Sequence, residues 1–340
     1  MNKIFVLYTG GTIGMVKDEV TDTFVPFDFD LINRNLPELH RLNYELTIHS
    51  YDQIIDSSNM QPEIWVGMVN VIEDNYDDYD GFVILHGSDT MAFSASALSF
   101  MLEGLQKPVI FSGSQLPIGE IRTDARENLI TALEIASAKR NGKSLIQEVC
   151  IYFENQLYRG NRAFKYNSAK FEAFRSPNYP VLVDAGVHLK YHESFFLDNS
   201  GKEFKAHYDL DNSISILKLY PGINRDYVQS VLKSDCRSII MEAFGSGNTS
   251  TDAWFLDSLK ETIAAGKNIL DISQCKVGSV ELGRYETSKW LKEMGVLSGH
   301  DMTFEAAITK LMYLQGRWSD QDKVAYWIEQ DLRGEMTVTT

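Results

Sequence analysis

Short apolar runs recur along the chain, and most end in glycine or a small polar residue. They cover residues 4–8, 81–85, 108–111, 148–153, 181–183, 238–244 and 267–272. Runs this short and rich in Val and Ile predict strands buried on both faces. Helical spacing fills several of the gaps. Met91, Ala95, Leu98, Leu102 and Leu105 fall at steps of three and four, which predicts one apolar helix stripe. Leu129, Ala132, Leu133 and Ala136 give a second, behind an Asp124-x-x-Glu127 start of capping-box form. Phe255, Leu259 and Ile263 give a third, with Gly266 placed to stop it. Strands alternating with helices predict an α/β fold with a mostly parallel sheet.

One stretch breaks this rhythm. Residues 188–213 are polar and charged, and Asn199-Ser200-Gly201 is a turn signal. At ~150 residues per domain, a chain of this length holds about two. The expected organisation is two open, mostly parallel α/β domains. The larger, N-terminal one covers residues 1–190. Residues 191–212 are expected to be a linker, and 213–340 a smaller C-terminal domain. No internal repeat or low-complexity segment interrupts them.

Composition narrows the class. Of 340 residues, 44% are hydrophobic and 23% charged, as in ordinary globular proteins. The 47 acidic and 32 basic residues give a net charge of −15. Nucleic-acid binding needs a basic footprint, so no nucleic-acid or anionic-membrane partner is expected. A small substrate or a protein partner remains, and solubility alone also accounts for an acidic surface. Cys150, Cys236 and Cys275 form no metal-type pair, and their odd number fits a reducing compartment. Without a cysteine ligand pair, neither metal nor cofactor is expected. The first apolar run is five residues, short of the ~7–15 of a secretory signal. No run reaches the ~18 apolar residues of a membrane span. The expected location is the cytoplasm.

In open α/β sheets, ligands bind beyond the carboxyl ends of the strands. The first strand delivers Thr9-Gly10-Gly11-Thr12-Ile13-Gly14, and the next clear one His86-Gly87-Ser88-Asp89-Thr90. A third delivers Ser112-Gly113-Ser114-Gln115, and a fourth the segment 155–165 with Lys165. The first loop does not fit the G-x-G-x-x-G dinucleotide fingerprint. Its glycines allow Thr12 and its backbone to approach a ligand closely. Each loop has an ordinary alternative. Thr12 could be a turn residue; Ser88, Asp89 and Thr90 are all good helix caps. His86 reads as a packed, hydrogen-bonded histidine, Lys165 as a solvated lysine, and 56–60 as a polar loop. What favours chemistry is that hydroxyls, a carboxylate and a lysine converge on one sheet edge.

Taken together, Thr-Gly-Gly-Thr-Ile-Gly at 9–14 and His-Gly-Ser-Asp-Thr at 86–90 resemble the two signature motifs of the bacterial-type L-asparaginases. The resemblance runs from residue 4 to about 330. It includes Asp56-Ser57-Ser58-Asn59-Met60, Gly113-Ser114-Gln115 and Gly245-Ser246-Gly247-Asn248. Tyr158-Arg159-Gly160-Asn161-Arg162 is similar to the cytoplasmic, type I branch. The resemblance implies that Thr12 is the nucleophile and Ser88 the second catalytic hydroxyl, with Asp89 and Lys165 completing the set. It implies substrate contacts at Gly11, Asp56, Ser57, Ser58, Gly87 and Ser114. It places Asn248 at the site of a neighbouring subunit, hence a homodimer or homotetramer. L-asparagine is the implied substrate.

Some positions depart from the family. Ser88 stands where threonine is usual, and Asn59 where type I members carry aspartate. Phe24 aligns with a loop tyrosine that assists the nucleophile, and it has no hydroxyl. Cys275 matches a regulatory asparagine site of some members, but Glu242 stands where they carry arginine, which argues against that site here.

The implied chemistry is acyl transfer in two steps. Thr12 attacks the amide, ammonia leaves, and water releases aspartate. Ser88 and Lys165 relay the proton, with Asp89 orienting them. For Lys165 to act as a base it must first lose its proton; a nearby carboxylate opposes this and burial favours it. Two rival readings are the glutaminase unit of a tRNA amidotransferase and a non-catalytic small-molecule-binding α/β protein. The former carries an added N-terminal segment, whereas this chain enters a strand at residue 4.

Overall fold

The structure, a computed structural model, describes residues 1–17, 24–26, 39, 44–284 and 286–338. The chain divides into two compact units, residues 1–208 and 209–340.

In the first unit, five strands run parallel: β1 (Asn2–Tyr8), β2 (Tyr44–Ser50), β3 (Gly81–Leu85), β4 (Val109–Ser112) and β5 (Val149–Phe153). Three more extend the β5 side in antiparallel fashion: β6 (Gln156–Arg159), β7 (Val183–Ala185) and β8 (Leu189–Tyr191). Their spatial order is β8-β7-β6-β5-β4-β3-β1-β2. The chain leaves β1 for one side and later returns on its other side as β3. The order therefore reverses between β1 and β3, and the crevice above them is where such sheets bind ligands.

Residues 4–8 show why β1 sits in the middle. All five are at most 5% exposed, so both faces are covered. Ile4, Val6 and Tyr8 share a core with Val83, Leu85, Ile110 and Leu129, Ala132 and Leu133. Those last three lie on α3 (Ala125–Ser137). On the opposite face, Phe5 meets Tyr79 edge-on at 5.1 Å. The other α-helices among the described residues of this unit are α1 (Pro62–Asp74), which begins on a proline that needs no N–H partner, and α2 (Met91–Met101).

Two expectations are corrected in detail. The stripe from Met91 to Leu105 is not one helix. α2 stops at Met101, residues Leu102–Glu103 pair with Lys205–Ala206, and Gly104 turns the chain at φ 68°. Leu102 and Leu105 are buried all the same, outside any helix. Nor does Asp124 cap α3. The Thr123 hydroxyl accepts the Ala125 N–H at 2.9 Å, and Asp124 turns elsewhere.

Residues 191–208 are no free tether. Asn199 is buried; its side-chain amide donates to the Gln147 carbonyl at 2.8 Å, and its carbonyl accepts from Gln106 at 2.7 Å. The polarity of this stretch is hydrogen bonding to the first unit. A buried ion pair secures it further. Arg159 Nε lies 2.6 Å from Glu148, and the guanidinium also donates to the Phe195 carbonyl at 2.8 Å. Glu148 in turn accepts the Leu197 N–H at 2.9 Å.

The second unit is a parallel sheet in the order β9 (Ile214–Lys218), β10 (Ser238–Ala243), β11 (Asn268–Ser273), β12 (Leu297–Ser298). Helices α4 (Arg225–Leu232), α5 (Ala253–Ala264), α6 (Glu286–Met294), α7 (Phe304–Arg317) and α8 (Gln321–Ile328) accompany it. Gly266 follows α5 at φ 85°, as its spacing predicts. Lys310 of α7 and Glu335 form an ion pair at 2.6 Å with neither side chain exposed. Burial would favour neutral groups, but Lys310 and the N–H groups of Leu332 and Arg333 hold the Glu335 carboxyl below its ordinary range. Among the described residues, no helix is long and apolar enough to cross a membrane.

Asp271, in the middle of β11, is fully buried, and neither carboxyl oxygen has a hydrogen-bond partner among the described residues. Burial pushes its pKa well above the ordinary aspartate value. In the unfolded chain it ionises near ~3.9. Its contribution to stability is therefore complete below that value and is lost as pH rises toward the folded one. Asp271→Asn carries no such titration. Melting curves from pH 4 to pH 8 should show the wild type losing stability relative to the variant, by up to ~1.4 kcal/mol per pH unit. Parallel pH profiles would mean that the carboxylate is ionised and compensated in the fold.

Candidate active site

Four loops of the first unit meet at the sheet edge through backbone. Gly11 lies so close to the β3 loop that an added Cβ would sit 2.5 Å from the Gly87 nitrogen. A Cβ on Gly87 would lie 2.5 Å from Ser57 Oγ, and one on Gly113 would lie 2.4 Å from the His86 carbonyl. Gly11 also holds φ at +92°, a region that side chains disfavour. The loops after β1, β2, β3 and β4 are thus locked together where no side chain fits.

Thr12 opens a short 3-10 turn, Thr12–Gly14, and is half-buried. Among the described residues its hydroxyl makes no hydrogen bond. The N–H groups of Gly11, Thr12, Gly87 and Ser88 likewise donate to no acceptor among the described residues. Gly11 and Gly87 are buried. Unpaired donors in such positions are rare in folded proteins, and a cluster of them is a place for an acceptor brought from outside.

Ser88, Asp89 and Thr90 could all have capped α2, yet no side chain caps it. Thr90 donates to the Ser57 carbonyl at 2.7 Å. Ser88 Oγ accepts from Lys165 Nζ at 2.9 Å and faces Gln115 Oε1 at 3.4 Å. Lys165 Nζ also lies 2.5 Å from Asp89 Oδ1. The lysine side chain is 17% exposed and the aspartate 64%, so the pair has one dry end and one wet end.

Lys165 reaches this place by a longer route than a strand-end loop. After the turn at 154–155, β6 runs antiparallel, away from the edge. A 3-10 turn at Gly160–Arg162 packs against α2, where a Cβ on Gly160 would meet Ala95 at 3.1 Å. The chain then returns to Phe164–Lys165, which pair with Phe174–Arg175.

The polar loop 56–60 is also built in. Asp56 is exposed and caps its short 3-10 turn by accepting the Ser58 N–H at 2.9 Å. Ser57 is buried against Gly87, and Ser58 is exposed. Ser114 is buried and donates to the Leu116 carbonyl at 2.6 Å. Asp124 is the residue that sequence reasoning missed. Its carboxylate accepts the Gln115 N–H at 3.0 Å, the Leu116 N–H at 3.1 Å and the Asn128 amide at 3.1 Å. It fixes the loop that meets Ser88, and no motif betrays this, because the same spacing reads as a helix cap.

Asn248 lies in the second unit. Its backbone pairs with Phe244 around the Gly245-Ser246-Gly247 turn, and Ser273 Oγ donates to the Gly245 carbonyl at 2.5 Å. Glu242 is ion-paired with Lys218 at 2.8 Å, and Cys275 is exposed. The backbone of Phe24 pairs with Lys17 in a small hairpin; its side chain lies outside what the structure describes. Among the described residues, no three His, Cys, Asp or Glu side chains are grouped to hold a metal ion.

Comparison with known proteins identifies the relatives of this architecture. Residues 3–196 match the family model for the asparaginase N-terminal domain, and 213–328 that for the glutaminase/asparaginase C-terminal domain. The chain is 42% identical to L-asparaginase 1 of Escherichia coli strain K12, over 98% of both chains. It is 30% identical to a glutamyl-tRNA(Gln) amidotransferase component of Metallosphaera sedula, over 98% of this chain and 76% of that protein. The crystal structure of L-asparaginase I from Vibrio cholerae superposes with a TM-score of 0.90 at 40% identity, covering 99% of each chain. The chain belongs to the asparaginase family.

Proposed function

We propose that the protein hydrolyses the side-chain amide of L-asparagine to L-aspartate and ammonia through a threonine acyl-enzyme. The observation that carries the reading is the Lys165–Ser88 hydrogen bond at 2.9 Å beside the N–H groups of Gly11, Thr12, Gly87 and Ser88, which meet no acceptor among the described residues, with Thr12 on the adjoining loop. In this reading Thr12 Oγ attacks the amide carbon, and its proton passes through Ser88 toward Lys165. The C–N bond breaks as the leaving nitrogen takes up a proton, and ammonia departs. Water then attacks the ester and restores the threonine hydroxyl. The unpaired N–H groups take the developing oxyanion, a role worth ~10²–10³ in rate for each donor.

Asp89 has two tasks. Its exposed carboxylate is placed to take the substrate's α-ammonium. A substrate that does so competes with Lys165 for the same carboxylate. Gly11, Asp56, Ser57, Ser58, Gly87 and Ser114 form the substrate cradle. Asn248 completes the site of a second copy, so the working unit is a homodimer or homotetramer. The free cysteines favour the cytoplasm.

The purified protein should release ammonia from asparagine, with glutamine run beside it. Thr12→Ala should cut turnover on the order of 10³-fold or more with little change in melting temperature. Near-normal ammonia release from that variant would remove Thr12 as nucleophile; none from the wild type would remove the reading itself.

Lys165→Met and Ser88→Ala should each cost on the order of 10²–10⁴-fold in turnover. Because the two act as a unit, the double variant should be little worse than the poorer single one. Losses that multiply would make Lys165 an electrostatic partner of Asp89 rather than part of a relay. Ser88→Thr should remain active.

The smallest active species should be a C₂ dimer. Light scattering and activity measured on the same dilution series decide this: full activity in a monomer at nanomolar concentration would rule it out.

A further inference from the structure

His86 is 1% exposed and sits directly behind the loop that carries Ser88. Its Nδ1 lies 2.7 Å from the Gly87 carbonyl oxygen, and its Nε2 lies 2.9 Å from Ser94 Oγ. A carbonyl oxygen only accepts, so Nδ1 carries the hydrogen. Nε2 is then the acceptor, and the Ser94 hydroxyl donates to it. That hydroxyl accepts in turn from Trp65 Nε1–H at 2.9 Å. Every hydrogen from the indole to the carbonyl thus has one direction. Burial pushes the imidazole pKa down to about 4, the Gly87 bond opposing, so the ring is neutral at ordinary pH.

The peptide between Gly87 and Ser88 is planar and trans, so its N–H points opposite to its C=O. Holding the Gly87 carbonyl toward His86 turns the Ser88 N–H to the other side. That N–H is one of those that meet no acceptor among the described residues. Gly11 packs on the preceding peptide, between His86 and Gly87, so the Thr12 loop bears on the residue whose carbonyl His86 holds.

We propose that His86 is a positioning residue: its Nδ1–H holds the Gly87 carbonyl and thereby aims the Ser88 N–H at the oxygen that gains charge when Thr12 attacks. The proposal rests on the amidohydrolase reading above. It assigns the histidine no proton transfer. It makes the ring, through Ser94 and Trp65, the part of the core that sets the angle of an oxyanion donor.

Two substitutions separate this from plain packing. Asparagine at position 86 keeps an N–H where Nδ1 stood, whereas glutamine reaches the place of Nε2. His86→Gln should lower kcat for asparagine on the order of 10²-fold with KM changed less than about threefold, as removal of one oxyanion donor does. His86→Asn should recover to within about tenfold of the wild type. Equal kcat in the two variants would overturn the proposal. If both fail to fold, Ser94→Ala decides: it frees Nε2 and lets the ring adopt the other tautomer. A fall in kcat at constant KM supports the positioning role, and an unchanged kcat overturns it. Nitrogen NMR of the wild type reads the ring directly. The Nδ1–H form is expected at pH 7, and an Nε2–H form would overturn the proposal. That measurement needs no turnover, so a protein inert toward asparagine fails the functional reading while the ring is still judged by its own signal.

Discussion

The contact between Gly11 and Gly87 is the constraint on which the site depends. Their strands are neighbours in register, with Tyr8 opposite Leu85. Thr12 leaves four residues after the first and Ser88 three residues after the second. The distance between the two hydroxyl-bearing loops is therefore tied to the strand spacing of ~4.8 Å and not to side-chain packing. Any Cβ at this contact would separate the loops. The same closeness explains the unpaired N–H groups. Two backbones pressed together at a sheet edge meet by shape and leave these donors unpaired among the described residues.

Around this contact, the fold uses buried polar groups to hold loops that have no regular structure. Asp124 holds residues 115 and 116 from below. Arg159 and Glu148 bind the returning segment that ends in Lys165 to residues 195–197. Such pairs contribute little net stability, since desolvation offsets attraction, but removing one partner leaves a buried charge at a cost of ~3–5 kcal/mol. Their effect is specificity of path. Lys165 arrives beside Ser88 because the chain before it has one way to run.

The fold was legible where burial writes itself into hydrophobic runs. Residues 4–8, 81–85 and 268–273 are central strands covered on both faces, and the runs name them closely. β2 was not legible, because it is an edge strand of mixed character, half exposed along its length. The apolar stripe after Met91 misled at its end, since Leu102 and Leu105 are buried without being helical. At the site, the convergence of the Thr12 and Ser88 loops could be read from strand ends and glycines. The route to Lys165 could not, because an antiparallel strand and a return turn leave no periodic trace. Asp124 was misread because a carboxylate three residues before a glutamate serves a cap and a loop anchor equally well.

Ser88 carries one consequence beyond its hydroxyl. A threonine at that position would have its χ1 restricted by the branch at Cβ, whatever its neighbours did. Serine has no branch, and its three staggered rotamers are close in energy. Here the direction of the oxygen is chosen by the Lys165 ammonium at 2.9 Å. Orientation that steric bulk would supply is supplied by charge, and it lasts as long as the lysine stays in place. The hydroxyl and the lysine are thereby coupled in conformation as well as in proton transfer.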